Sequence, residues 1–153
     1  MKKQAQTRTS VELLSTIVAF LRYLSLMYHN HHWESKGRNF YEDHLLFERL
    51  YNQMSEQIDK IAEKSIGLFG SEIVNFSKQL ILIKELDAKF PYHSPEEAIK
   101  HSLMVEKELT KLIENVAGKL EMNGELSLGL DNLLAELCDN SENRCYLLGQ
   151  VEI

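Results

Sequence analysis

Apolar residues recur at intervals of three and four over four long segments of the chain, the period of a helix with a buried face. In the first segment Leu13, Leu14, Ile17, Val18, Leu21, Leu24 and Tyr28 follow Ser10, which has N-cap chemistry. Apolar positions fill most of its circumference, which predicts burial on more than one side. Lys36-Gly37-Arg38-Asn39 ends it. The second helix is predicted over residues 40–66, with Phe47, Leu50, Tyr51, Met54, Ile58 and Ile61 as its core stripe. Gly67 and Gly70 mark its exit.

Residues 71–90 predict a short helix lying across the others, then an irregular connection. Ser94 as N-cap, Pro95 in the first helical position and Glu97 closing a capping box start a third long helix. It carries Val105, Leu109, Leu112, Ile113, Val116 and Leu120 on one face, and Asn123-Gly124 ends it. A fourth helix is predicted over residues 127–148, buried through Leu130, Leu133, Leu134, Leu137, Cys138 and Cys145. No segment shows the period of two that a strand requires. The expectation is one all-α domain over residues 1–153, with a flexible N-terminal tail over residues 1–9. It is a four-helix bundle with a short extra helix in the long connection between helices 2 and 3; ferritin-like folds are one kind of bundle with such a crossover.

Composition narrows the function. The net charge of −6, from 23 acidic against 17 basic residues, argues against a broad nucleic-acid surface, which needs clustered Lys and Arg. Cys138 and Cys145 lie seven residues apart on one predicted helix, roughly 10 Å by helical rise and too far to bond to each other. They read as small buried residues in a reducing compartment. The N-terminus is polar, and Glu12, Ser15, Thr16 and Arg22 interrupt the apolar run that follows. Neither a signal peptide nor a membrane span is expected, and the expected location is cytoplasmic.

Four of the six histidines, His29, His31, His32 and His44, fall within 16 residues around the first turn. On the second helix, with His44 set at zero, Glu48 lies near 40°, Asp59 near 60° and Glu63 near 100°. The core stripe spans roughly −120° to −20°, so these four form a second stripe flanking the apolar face. A solvated face lies opposite the core and mixes charge signs. This stripe has no lysine between its acids, and imidazole with carboxylate can bind a metal ion.

Glu48 and Asp59 are nevertheless about 16 Å apart along one straight helix. Ligand bonds are about 2 Å long, so one ion cannot take both pairs from one chain. Either each chain holds two half-sites, or a two-fold partner brings its Asp59 and Glu63 to face His44 and Glu48. A metal held inside the bundle would need Glu-x-x-His motifs on two helices. The fourth helix has no histidine. His29 and His31 lie off this stripe and read as surface or interface residues; His93 and His101 read as structural or exposed.

The run His32–Lys64, HWESKGRNFYEDHLLFERLYNQMSEQIDKIAEK, resembles the Dps-type mini-ferritins, the DNA-binding proteins from starved cells. Their signature is a His-Trp at the end of the first helix, a Gly-x-Asn-Phe turn, a His-x-x-x-acid pair and an Asp-x-x-x-Glu pair. Counted from His32, this chain has His44 at +12, Glu48 at +16, Asp59 at +27 and Glu63 at +31. The resemblance implies that His32, His44 and Glu48 of one subunit face Asp59 and Glu63 of its two-fold mate in a ferroxidase centre. Trp33 would sit against that centre and intercept oxidising radicals.

It implies further that Fe(II) is oxidised by peroxide or O₂ and stored as Fe(III) mineral in a hollow shell of twelve subunits, limiting oxidative damage. Zinc is a substitute the same ligands can take. Three features depart from the family pattern. Glu48 stands where an Asp is usual, and Asn132, with Asp131 and Glu136 nearby, where an Asp often lines an iron-entry pore. The N-terminus offers only Lys2, Lys3 and Arg8 to DNA, so DNA binding is expected to be weak or absent. The alternative is a protein of the same fold that binds metal, or compacts DNA, without ferroxidase turnover.

Overall fold

A computed structural model describes residues 1–152. Helix α1 spans Lys2–Glu34, α2 Phe40–Phe69, α3 Phe76–Lys89, α4 Ala98–Met122 and α5 Leu128–Glu152. Single 3₁₀ turns, Ser71–Val74 and Pro95–Glu97, precede α3 and α4. There are no strands among the described residues. The four long helices α1, α2, α4 and α5 form the bundle, and α3 lies in the crossover between α2 and α4, packed on α1.

Most of the predicted core is buried, while Leu13, Tyr51, Ile58, Leu112, Cys138 and Cys145 are only partly buried at its edge. Leu14, Ile17, Val18, Leu21, Leu24 and Tyr28 of α1 are buried, as are Phe47, Leu50, Met54 and Ile61 of α2. Val105, Leu109, Ile113, Val116 and Leu120 of α4 and Leu130, Leu133, Leu134 and Leu137 of α5 complete it. By length and composition α1 could cross a membrane, so length alone does not exclude a span; most of its apolar stretch is buried inside the bundle.

Helix boundaries differ from expectation where side chains have tertiary roles. Ser10 is not an N-cap: α1 begins at Lys2, and residues expected as a tail continue it. Nothing in residues 2–9 breaks a helix, and Thr7 and Thr9 return their hydroxyls to carbonyls four residues back. Ser10 is fully buried, its hydroxyl facing Glu125. Gly67 lies inside α2, and Gly70 ends it with a φ of 95°, the left-handed region that favours glycine. Ser94 makes no side-chain cap, so the predicted capping box is replaced by the 3₁₀ turn Pro95–Glu97. Ser127 does cap α5, accepting from the Leu130 amide.

Gln79 is the one fully buried residue of α3, and Ile83 and Leu86 pack half-buried against the core. Gln79 donates to the Ser15 carbonyl at 2.9 Å, and the Ser15 hydroxyl reaches the Ile73 carbonyl at 2.9 Å. The helix turns Phe76, Leu80 and Ile81 to the outside.

The most costly feature of the interior is polar. Glu106 of α4 and Arg144 of α5 are both fully buried. The Glu106 carboxylate accepts from Arg144 Nε and Nη2, from the Ser141 hydroxyl at 2.6 Å and from the Tyr28 hydroxyl. Arg144 also donates to Gln57 Oε1 at 3.0 Å. One level of the bundle therefore ties Tyr28 of α1, Gln57 of α2, Glu106 of α4 and Arg144 of α5. Burial and the Glu106 charge push the Tyr28 phenol well above its ordinary range, so it stays a donor.

Cys138 and Cys145 are free and half-buried. Burial, then Glu114 and Glu142, push the Cys138 thiol up to about 11, and burial raises Cys145 as well. Alkylation needs the thiolate, so iodoacetamide at pH 8 should label Cys138 roughly two orders of magnitude more slowly than free cysteine. Labelling at the free-cysteine rate would show that the helix packing around α5 is wrong.

Candidate metal centre

The α1–α2 turn sets the geometry. Gly37, with a φ of 85°, reverses the chain and lets α2 run back along α1. The last turn of α1 then meets the second turn of α2. There, the His32 ring donates through Nδ1 to the His44 carbonyl at 2.8 Å, and the His44 ring donates through Nδ1 to the His32 carbonyl at 2.9 Å. A carbonyl can only accept, so each Nδ1 carries a proton, and in the neutral ring the lone pair lies on Nε2. The rings lie 3.6 Å apart at 22°. Metal-binding imidazoles are commonly held in this way, with a carbonyl that fixes the tautomer and aims the other nitrogen.

An aromatic wall stands beside the pair. Phe40 stacks on His44 at 5.0 Å, and Tyr51 meets the His32 ring edge-on at 5.2 Å. Trp33 is 69% exposed and stacks on His29 at 5.1 Å, and His29 in turn lies over Tyr51 at 3.8 Å. Trp33 is thus separated from the imidazole pair by His29 and Tyr51. The contribution of His29 and Tyr51 is invisible in spacing alone, because it depends on how α1 crosses α2.

Of the five predicted ligands, one chain brings together His32 and His44. Glu48 is half-buried one turn further along α2, and Asp59 and Glu63 are exposed on α2. Among the described residues, no three His, Cys, Asp or Glu side chains gather as a set able to hold an ion. The buried Glu106 carboxylate is not free for an ion: Arg144 and its neighbours already occupy both of its oxygens. Lys60 pairs outward with Glu56 at 3.2 Å and Glu136 at 2.9 Å, away from the imidazoles.

One expectation is corrected. His31 is not a surface residue but 2% exposed, because the helical step from His32 turns it inward towards α4. It packs against Phe47, Tyr92 and His101. Burial and the neighbouring His101 lower its pKa to about 3, so the ring is neutral.

Residues 11–139 match the ferritin family, described as the ferritin-like domain, and the chain belongs to that family. The resemblance to Dps-type mini-ferritins is borne out by its relatives. A nutrient stress-induced DNA-binding protein from Nostoc is 27% identical over 142 residues, 93% of this chain and 76% of that protein. A DNA protection during starvation protein from Listeria innocua is 29% identical over 111 residues, 72% of this chain and 63% of that protein. The fold matches the crystal structure of a Dps protein from Vibrio cholerae, described as a member of a superfamily of ferritin-like diiron-carboxylate proteins. The TM-score is 0.80 at 18% identity, over 97% of this chain and 92% of that one.

Proposed function

We propose that this chain is the subunit of a mini-ferritin that oxidises Fe(II) and stores the product. The observation that carries this reading is the reciprocal clamp between His32 and His44, which prepares two Nε2 lone pairs side by side. Imidazole suits Fe(II), and carboxylate oxygens stabilise Fe(III), so a mixed set favours loss of an electron. Glu48 adds a carboxylate from the same chain, and Asp59 and Glu63 of a two-fold mate complete the set. Trp33, on the exposed rim, is the residue placed to absorb stray oxidising equivalents.

Iron is the substrate. Two Fe(II) ions each give up one electron, the O–O bond of hydrogen peroxide breaks, and two protons carry both oxygens away as water. O₂ is the alternative acceptor. Fe(III) then hydrolyses into mineral within a shell of twelve cytoplasmic subunits, and zinc can occupy the same ligands without turnover. Exposed Leu26, Leu80 and Ile81, with Trp33, Tyr41 and Leu45, supply apolar surface for such contacts.

The relatives' names point to DNA, but a net charge of −6 and an N-terminus whose Arg8 already pairs with Glu12 leave little to bind phosphate. DNA compaction is therefore the weaker reading. Stopped-flow absorbance after mixing assembled apoprotein with Fe(II) and peroxide tests the proposal. Fe(III) should form faster than in buffer and remain soluble; oxidation at the buffer rate, with precipitation, would refute it.

A further inference from the structure

Buried polar atoms without partners are few in folded proteins, and each needs an explanation. Three occur together where α1, α3 and α4 meet: both ring nitrogens of His31 and Nδ1 of His101. Their residues are 2% and 6% exposed. Both rings border a cavity of about 320 Å³ that Asn30, Asp87 and Tyr92 also line.

The His101 ring is already oriented. Its Nε2 donates to the Phe90 carbonyl at 2.8 Å, so in the neutral ring the lone pair lies on Nδ1. A carbonyl thus fixes the tautomer of His101 as others fix those of His32 and His44, the outer contact typical of a metal-binding imidazole. The His31 and His101 rings are 5.7 Å apart, centre to centre, at 83°. An ion ~2.0–2.1 Å from one nitrogen of each ring would hold the ring centres roughly 5–6.5 Å apart. The observed spacing falls in that range without movement of either helix.

We propose that His31 and His101 form a second metal site, for a divalent transition ion of the zinc class, distinct from the His32–His44 centre. Imidazole nitrogens select zinc, copper or nickel over calcium and magnesium. Water would supply the remaining ligands, since among the described residues no third His, Cys, Asp or Glu side chain joins the pair. His32 and His31 are neighbours in sequence but lie about 100° apart around α1, so one serves α2 and the other α4. Two ions can therefore bind on different faces of one helical turn.

The experiment uses assembled protein carrying His44→Ala and Asp59→Ala, which disables the other centre. It is equilibrated with Zn²⁺ alone, passed through a desalting column and analysed for metal. About one zinc per chain should be retained, and His31→Gln or His101→Gln added to this background should weaken retention at least ~10-fold. Because either variant can disturb packing, the zinc X-ray absorption spectrum of the background protein supplies an independent reading. Two imidazoles at ~2.0–2.1 Å are expected. No retained zinc, retention unchanged by both substitutions, or a spectrum with fewer than two imidazoles would each overturn the site.

Discussion

Replacing Asp59 and Glu63 together by alanine should slow Fe(II) oxidation by about a hundred-fold or more. Both side chains are exposed in the single chain, and neither takes part in its core or its ion pairs. Surface substitutions of this kind change folding stability by no more than about 0.5 kcal/mol. The variant should therefore fold and assemble, and the loss should lie in the chemistry. With the carboxylates gone, His32, His44 and Glu48 can still bind Fe(II) weakly, but the harder product loses its oxygen ligands. Stopped-flow oxidation with peroxide measures the effect, and particle size checks the assembly. An intact particle that oxidises iron at the wild-type rate would remove these two residues from the site.

Glu106→Ala should cost about 3–5 kcal/mol of stability, because it leaves the Arg144 guanidinium buried and unpaired. Arg144→Met should cost a similar amount for the converse reason. The pair removed together, as Glu106→Leu with Arg144→Met, should lose far less, since desolvation of both charges disappears with them. Urea unfolding of the three variants separates these cases. Equal losses in the single and double variants would mean that the network acts through packing alone. Tyr28, Ser141 and Gln57 join the same level, so the double variant tests also whether the clasp sets helix register.

Much of this molecule is legible in its apolar spacing. The stripe from Phe47 to Ile61 and that from Val105 to Leu120 define the helix faces, and Gly37, Gly70 and Gly124 sit where the chain turns with a positive φ. The helix starts were less legible. Ser10 and Ser94 have capping chemistry, but one is buried against Glu125 and the other precedes a 3₁₀ turn, choices made by tertiary packing. Glu106 and Arg144 escaped notice because an apolar pattern passes over polar residues at core positions. The signal was present: Ser141 and Arg144 continue the spacing of Leu137 towards Leu148.

The site was legible to a different degree. Spacing alone brought out His44, Glu48, Asp59 and Glu63 as one stripe, and the resemblance added His32. Spacing could not reveal that two carbonyls fix both tautomers, because that depends on how α1 and α2 cross. It also misjudged His31, since a histidine one step from a ligand lies on another face of the helix and here faces the interior.

Mixing two defective chains tests the shared centre most directly. One chain carries His44→Ala; the other carries Asp59→Ala with Glu63→Ala. Each assembled alone should be inactive. Dissociated together and reassembled at equal ratio, about half of the dimers are mixed, and each mixed dimer holds one complete centre of its two. Fe(II) oxidation should then return to about a quarter of the wild-type rate per chain. If the mixture, with mixed dimers shown to be present, stays as inactive as its parents, the ligands do not come from two chains.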